Sequence, residues 1–425
     1  MSAARAAYSA LIYAMLPYVL ARLAWRSRRE PGYRAHVGER FGYYGVEPVS
    51  GPLIWLHAVS VGETRAAEPL VRALEARYPD HRLLLTHMTP TGRRAGESVF
   101  GDRVLRCYLP YDYPGAVGRF LDHFRPRMGL LMETEIWPNL IHACTRRQIP
   151  LYLVNARMSE KSYRGYSRFA SLVGESMSGL TAVAAQTKDD AQRLRMLGAR
   201  TVTVTGNVKF DATVPADQVE EGQAWRTSFG QRQVLLAAST REGEESLILD
   251  AYAKLSPSPL LMIVPRHPQR FDDVAALLEK RGLRYQRRST GGTVTANTQV
   301  LLGDSMGEMA MYYAACDLAF IGGSLLPFGA HNFIEACAVG KPVLLGPHTY
   351  NFAEAAERAT EAGALVRVED ATHLADTVNR LFADAPALLA IGARALEFSR
   401  AHQGATQRVM AMLHVSVSSS REPQG

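Results

Sequence analysis

The sequence predicts an α/β protein built from two Rossmann-like domains, and three observations carry that prediction. Short, continuously apolar runs alternate with longer stretches of helical spacing from about residue 50 onward, the pattern of βαβ units around a parallel sheet covered on both faces. A chain of 425 residues is too long for one ordinary hydrophobic core. A polar stretch over 211–232 separates two sets of such runs. The composition, 47% hydrophobic and 21% charged, excludes a disordered, collagen-like or coiled-coil chain. Cys107, Cys144, Cys316 and Cys337 form no CxxC pair, which argues against a disulfide scaffold or structural zinc and for a reducing compartment.

Residues 1–30 come first. Ala6–Ala21 is uncharged and mostly apolar, and Arg22, Arg26, Arg28 and Arg29 follow it. Sixteen residues fall short of the roughly 20 needed to span a bilayer. The charge lies after the apolar run and no cleavage site follows, so this is no secretory signal. Residues 1–48 hold seven Arg and three Glu, a concentrated share of the net charge of +7. Cations beyond the run place the bulk of the protein on the cytoplasmic side, and Tyr8, Tyr13, Tyr18 and Trp25 suit a headgroup boundary. The expectation is a membrane anchor, spanning or interfacial; the alternative is an apolar helix docked on the protein's own core.

Residues 31–210 form the first domain. Strands are expected at Pro52–Ala58, Arg82–Met88, Val104–Pro110, Met128–Glu133, Pro150–Val154, Ala182–Gln186 and Val202–Gly206, with helices such as Glu63–Tyr78 and Lys188–Leu197 between them. Residues 211–232 are expected to link the domains, and 233–415 to form the second, with strands at Val234–Ala238, Leu260–Val264, Val300–Gly303, Leu318–Gly322 and Pro342–Gly346. The tail 416–425 is polar and reads as loose.

In such sheets ligands bind beyond the carboxyl ends of the strands. In the first domain these ends carry Gly62 and Glu63, the Thr89–Arg93 turn, Glu133 and Glu135 followed by Trp137-Pro138, and Lys209. Glu63 at a helix start is either a functional carboxylate or simply a favourable N-terminal charge. Glu133 and Glu135, two apart at a strand end, are expected on one side and to be costly unless paired or used. A metal there is the weaker reading, since no Asp-x-Asp or histidine cluster accompanies them; pairing with the Asn155–Arg157 turn is the structural alternative. In the second domain, Ser239–Glu245, Pro265-Arg266-His267, Asp304–Glu308, the Gly322-Gly323-Ser324 nest and Asn332–Glu335 recur after consecutive strands, moderately specific for a nucleotide.

These motifs are similar to one family. HAVSVGE (His57–Glu63), METEIWPN (Met132–Asn139), NARMS (Asn155–Ser159), TGNVKFD (Thr205–Asp211), VPRHPQRF (Val264–Phe271), GDSMGEM (Gly303–Met309), FIGGSL (Phe320–Leu325) and HNFIEA (His331–Ala336) resemble the 3-deoxy-D-manno-octulosonic acid (Kdo) transferases, in one order from about residue 8 to 410, GERFG (Gly38–Gly42) included. The family's frequent HNPLE is HNFIE here. The resemblance implies a GT-B glycosyltransferase, two Rossmann-like domains facing across a cleft, with an acceptor-binding first domain and a CMP-Kdo-binding second. It implies inverting transfer of Kdo from CMP-Kdo to the tetraacyldisaccharide lipid A precursor (lipid IVA), in lipopolysaccharide core synthesis at the cytoplasmic face of the bacterial inner membrane. Carried over by position, Glu63 is the general base and Glu133 and Lys209 stabilise the transition state. Pro265, Arg266, Met306, Gly307, Glu308, Asn332, Phe333, Ile334 and Glu335 bind CMP. No metal or cofactor is implied; anionic membrane lipid is a partner and nucleic acid is not. Two alternatives stand beside it. A GT-B-like sugar-nucleotide epimerase or hydrolase would need no membrane segment. A non-catalytic lipopolysaccharide-binding scaffold would not require Glu63, Glu133 and Lys209 together.

Overall fold

The computed structural model describes residues 2–414 except Val46, Val49, Ala212 and Thr213; the expected tail 416–425 lies outside the described residues. The chain forms two compact units, one from Met1–Ala212 with Gln403–Gly425, the other from Thr213–His402.

The first unit holds a seven-stranded sheet of β1 (Leu53–His57), β2 (Arg82–His87), β3 (Leu105–Tyr108), β4 (Met128–Met132), β5 (Leu151–Ala156), β6 (Ala182–Ala185) and β7 (Val202–Val204). All strands run parallel in the order β3-β2-β1-β4-β5-β6-β7. Both faces are covered, which is why these strands read as unbroken apolar runs rather than alternating ones. Side-chain alternation then sorts Leu53, Trp55, Leu131, Leu153 and Val183 into one apolar cluster and Ile54, Leu56, Leu130, Met132 and Val154 into another.

The second unit repeats the scheme with β8 (Val234–Thr240), β9 (Leu260–Pro265), β10 (Tyr285–Arg287), β11 (Val300–Leu302), β12 (Leu318–Ile321), β13 (Val343–Leu345) and β14 (Leu365–Arg367), parallel in the order β10-β11-β9-β8-β12-β13-β14. Edge strands β10 and β14 are absent from the sequence reading. Each has three residues and ends in arginine, so neither makes an apolar run. Strand order reverses between β1 and β4 in one sheet and between β8 and β12 in the other, and these switch points are where such sheets open a crevice.

Two expectations need correction. The stretch 211–232 is not a linker between the domains, because it holds the helix Ala216–Ser228 of the second unit. Gly222 lets it approach the helix Met309–Ala315: a Cβ there would overlap the Met311 carbonyl oxygen and lie 2.6 Å from Ala314 Cβ. Arg226 grips Asp317 through Nε at 2.9 Å and Nη2 at 3.0 Å. The second domain also does not run to 415. After His402 the chain returns to the first unit as the helix Ala405–Met412, whose Ala405, Val409 and Met410 join a cluster under the first sheet.

The N-terminal segment is two helices, Ala3–Ala14 and Leu16–Arg29; among the described residues no single helix is long and apolar enough to cross a membrane, but the two together, bent by 48°, have the length and composition for it. The first helix docks on its own unit through polar residues. Arg5 and Ser9 are buried, while Leu11, Tyr13, Met15, Tyr18, Leu20 and Trp25 are exposed. These exposed apolar side chains do not fit the alternative of an apolar helix docked on the core.

Candidate functional site

Glu63 sits just past β1, at the switch point. Ser60 accepts the Glu63 N–H through Oγ at 3.3 Å, while Glu63 accepts Ser60 Oγ–H at 2.9 Å and the Val59 N–H at 2.8 Å. This is a variant of the S-x-x-E capping box, with Glu63 reaching the N–H of Val59, one residue before the Ser60 cap, at the first turn of the helix Val61–Ala66. The carboxylate is therefore aimed by two donors before any ligand arrives. A Cβ at Gly62 would touch only Ser60 Oγ, at 3.8 Å, so the backbone beside Glu63 stays open. Burial, then the Glu133 charge, push the Glu63 carboxyl up to about 7, against the pull of Val59 and Ser60. A carboxyl poised near neutrality suits a general base and is more than a capping charge requires.

Glu133 follows β4, the neighbour of β1, in the left-handed conformation at φ 58°. For a residue with a Cβ that conformation costs about 1–3 kcal/mol and is found where a site demands it. The turn cancels strand alternation beyond Met132, so the i, i+2 argument does not set the directions of the two acids. Glu133 reaches Lys209 Nζ at 3.3 Å, and Glu135 accepts Trp137 Nε1–H at 2.6 Å. Burial raises the Glu135 carboxyl. Asn155 does not pair with these acids; its Oδ1 accepts the Val208 N–H at 3.1 Å from a left-handed position ending β5.

Lys209 rides on a short 3₁₀ turn, Val208–Asp211, after β7. Val208 and Phe210 are buried on either side of it. Asn207 Oδ1 accepts the Lys209 N–H at 3.0 Å, and Arg408 from the returning C-terminal helix holds the Thr205 carbonyl at 2.7 Å. Asp211 caps that helix, accepting the Gly404 and Thr406 N–H groups at 2.6 and 2.5 Å. Sequence reasoning missed Asp211 and Arg408; the TGNVKFD motif contains the first, but its partners lie about 200 residues on. His57 is buried, with its pKa down to about 3 through desolvation, and is a neutral packing group.

In the second unit the Gly322-Gly323-Ser324 nest is already filled. Glu244, fully buried, accepts the N–H groups of Gly323 at 2.6 Å and of Ser324 and Leu325 at 3.0 Å. The nest thus serves the protein's own carboxylate, and the expected anion at this loop is displaced from it. Glu245, equally buried, is bound by Thr240 and Arg270, both at 3.0 Å. Pro265 is buried at the end of β9, and half-buried Arg266 follows, its N–H donated to the Thr240 carbonyl at 3.0 Å. Met306 is exposed and Gly307 left-handed, with nothing near a Cβ there. Glu308 pairs with Arg288 at 3.3 Å and accepts Ser305 Oγ–H at 2.5 Å. Asn332 Nδ2 donates to Glu335 Oε1 at 2.8 Å, and Asn332 Oδ1 accepts the Ile334 N–H at 3.1 Å. Phe333 and Ile334 are core side chains, buried to 0% and 1% exposure, so a ligand at this helix start would meet them through their backbone. Among the described residues no group of three or more His, Cys, Asp or Glu is placed to hold a metal ion.

Residues 35–212 match the family model described as 3-Deoxy-D-manno-octulosonic-acid transferase (kdotransferase), and residues 248–398 match that of glycosyl transferases group 1. A 3-deoxy-D-manno-octulosonic acid transferase of Bordetella pertussis is 44% identical, covering 96% of this chain and 98% of that one. The protein of that name from Haemophilus influenzae is 37% identical, covering 96% and 97%. A putative UDP-N-acetylglucosamine 2-epimerase from Listeria monocytogenes superposes with a TM-score of 0.55 over 86% of this chain and 96% of its own, at 15% identity, a likeness of fold alone. The epimerase alternative therefore shares the architecture. Near-complete coverage at 44% identity, on a sheet whose switch point gathers Glu63, Glu133 and Lys209, makes this chain a glycosyltransferase of the 3-deoxy-D-manno-octulosonic acid transferase family.

Proposed function

We propose that the protein transfers Kdo from CMP-Kdo to a hydroxyl of the tetraacyldisaccharide lipid A precursor, inverting the anomeric carbon, at the cytoplasmic face of the inner membrane. The observation that carries this reading is the cluster at the β1–β4 switch point: a carboxyl raised to about 7 beside a carboxylate–lysine pair. Glu63 takes the proton from the acceptor hydroxyl as it attacks. Lys209, held by Glu133, neutralises charge carried by the donor, which bears one carboxylate and one phosphate. In the second unit Arg266 meets the phosphate and Glu335, aimed by Asn332, meets the ribose hydroxyls. Purified protein with CMP-Kdo and the lipid, followed by mass spectrometry, tests this: an acceptor gaining Kdo units is expected, and an unmodified lipid with intact donor refutes it.

The N-terminal pair then lies in the membrane interface. Its exposed Leu11, Tyr18, Leu20 and Trp25, with exposed Arg22, Arg26 and Arg28, suit a headgroup boundary rich in anionic lipid. Arg266→Ala and Glu335→Ala should each weaken CMP binding by about tenfold or more, the scale of a lost charge-assisted hydrogen bond. Acceptor binding should be unmoved. Calorimetry with CMP checks both, and unchanged affinity in the two variants would remove the nucleotide from this loop pair.

A further inference from the structure

We propose that the N-terminal helix is a positioning element of the catalytic loop as well as a membrane contact: Tyr8 and Ser9 hold the Glu133–Trp137 loop in place through Asp112 and Asn139. The inference rests on the reading of that loop as catalytic. It starts from the helix Ala3–Ala14 burying its polar Arg5 and Ser9 while Leu11 and Tyr13 stay exposed. Apolar contacts tolerate sliding, whereas directional hydrogen bonds set one position.

Asp112 is the hub. Its carboxylate accepts the N–H of Asn139 at Oδ2 (2.9 Å) and of Leu140 at Oδ1 (2.8 Å), the first free amides of the helix Pro138–Arg146. Trp137, at the N-cap, supplies no side-chain bond, so Asp112 caps this helix from a distant loop. The Asp112 carbonyl accepts Asn139 Nδ2–H at 2.8 Å. The N-terminal helix completes the arrangement from the other side: Ser9 Oγ–H donates to Asn139 Oδ1 at 3.1 Å, and half-buried Tyr8 acts on the Asp112 carboxylate. Arg5, 3.7 Å from Glu175, and Ser2, bonded to the same carboxylate, fix the start of the helix.

Asn139 is two residues beyond Trp137, whose indole holds Glu135, and six beyond Glu133, which holds Lys209. The loop is thus tied at one end by β4 and at the other by a helix start whose cap is shared with Tyr8 and Ser9. Burial raises the Asp112 carboxyl to about 7, so losing the Tyr8 donor further loosens a costly buried group.

The test uses the full chain in detergent, with the Tyr8→Phe/Ser9→Ala double variant. Tyr8 faces Asp112 rather than a headgroup boundary, and both changes spare the exposed Leu11, Tyr13, Tyr18 and Leu20, so binding to anionic vesicles should be unchanged. Amide exchange over residues 133–141 should quicken about tenfold, the scale of one or two lost hydrogen bonds. On detergent-dispersed acceptor kcat should fall by a similar factor with the KM for CMP-Kdo unmoved, and restoring Ser9 as Thr should recover part of it. Unchanged exchange overturns the proposal, and so does faster exchange with an unchanged kcat. If the wild-type protein transfers no Kdo, the functional reading fails on its own, and the exchange measurement still decides whether the helix holds the loop.

Discussion

Glu63→Gln should cut turnover by about 10²-fold or more, the scale of losing general-base help, while the protein melts as before and binds CMP normally. Gln keeps a carbonyl oxygen for Val59 and Ser60, so the capping box survives in part and the helix Val61–Ala66 still forms. What is lost is a group able to take a proton. In the unchanged enzyme, kcat/KM should rise about tenfold per pH unit below 7 and level off above it, because the Glu63 carboxyl sits near 7 and works deprotonated. Near-normal turnover in the Gln variant would move the base to Glu133 or Glu135.

Lys209→Ala should cost about 10²–10³ in kcat, the range for removing one preorganised charge at a developing anion, and Glu133→Gln somewhat less. The two should shift the pH profile in opposite directions. Glu133 raises the Glu63 carboxyl by like-charge repulsion, so Glu133→Gln lets Glu63 ionise more easily and moves the rising limb to lower pH. Lys209→Ala strips Glu133 of its counter-ion at 3.3 Å, strengthens that repulsion and moves the limb to higher pH. Shifts of the same sign in both variants would mean that the pair does not control Glu63.

Most strands were legible because both faces of each sheet are buried: a run such as Leu53-Ile54-Trp55-Leu56 has no other use in a soluble domain. The residues that follow those runs were legible as site candidates for the same reason, since a parallel sheet delivers every strand's carboxyl end to one edge. The burial of the Phe333 and Ile334 side chains was not legible, because a motif carries its packing residues along with its polar ones. The helix Ala216–Ser228 was missed because its polar composition hides one close approach, at Gly222.

By itself, then, the sequence determined the two parallel-sheet units, the strand ends that bear Glu63, Glu133 and Lys209, and the family. Those depend on local periodicity and on motifs a few residues long. Only the tertiary structure decided who partners whom. Lys209 meets Glu133 across 76 positions, Asp211 caps a helix about 193 positions later, and Glu244 fills a nest about 80 positions away. Only the tertiary structure, too, turned the N-terminal helix polar side inward, onto Asp112 and Asn139. Hydrogen bonds and ion pairs act over about 3 Å of space without regard to chain separation, so no spacing in the sequence encodes them until the sheets have brought their ends together.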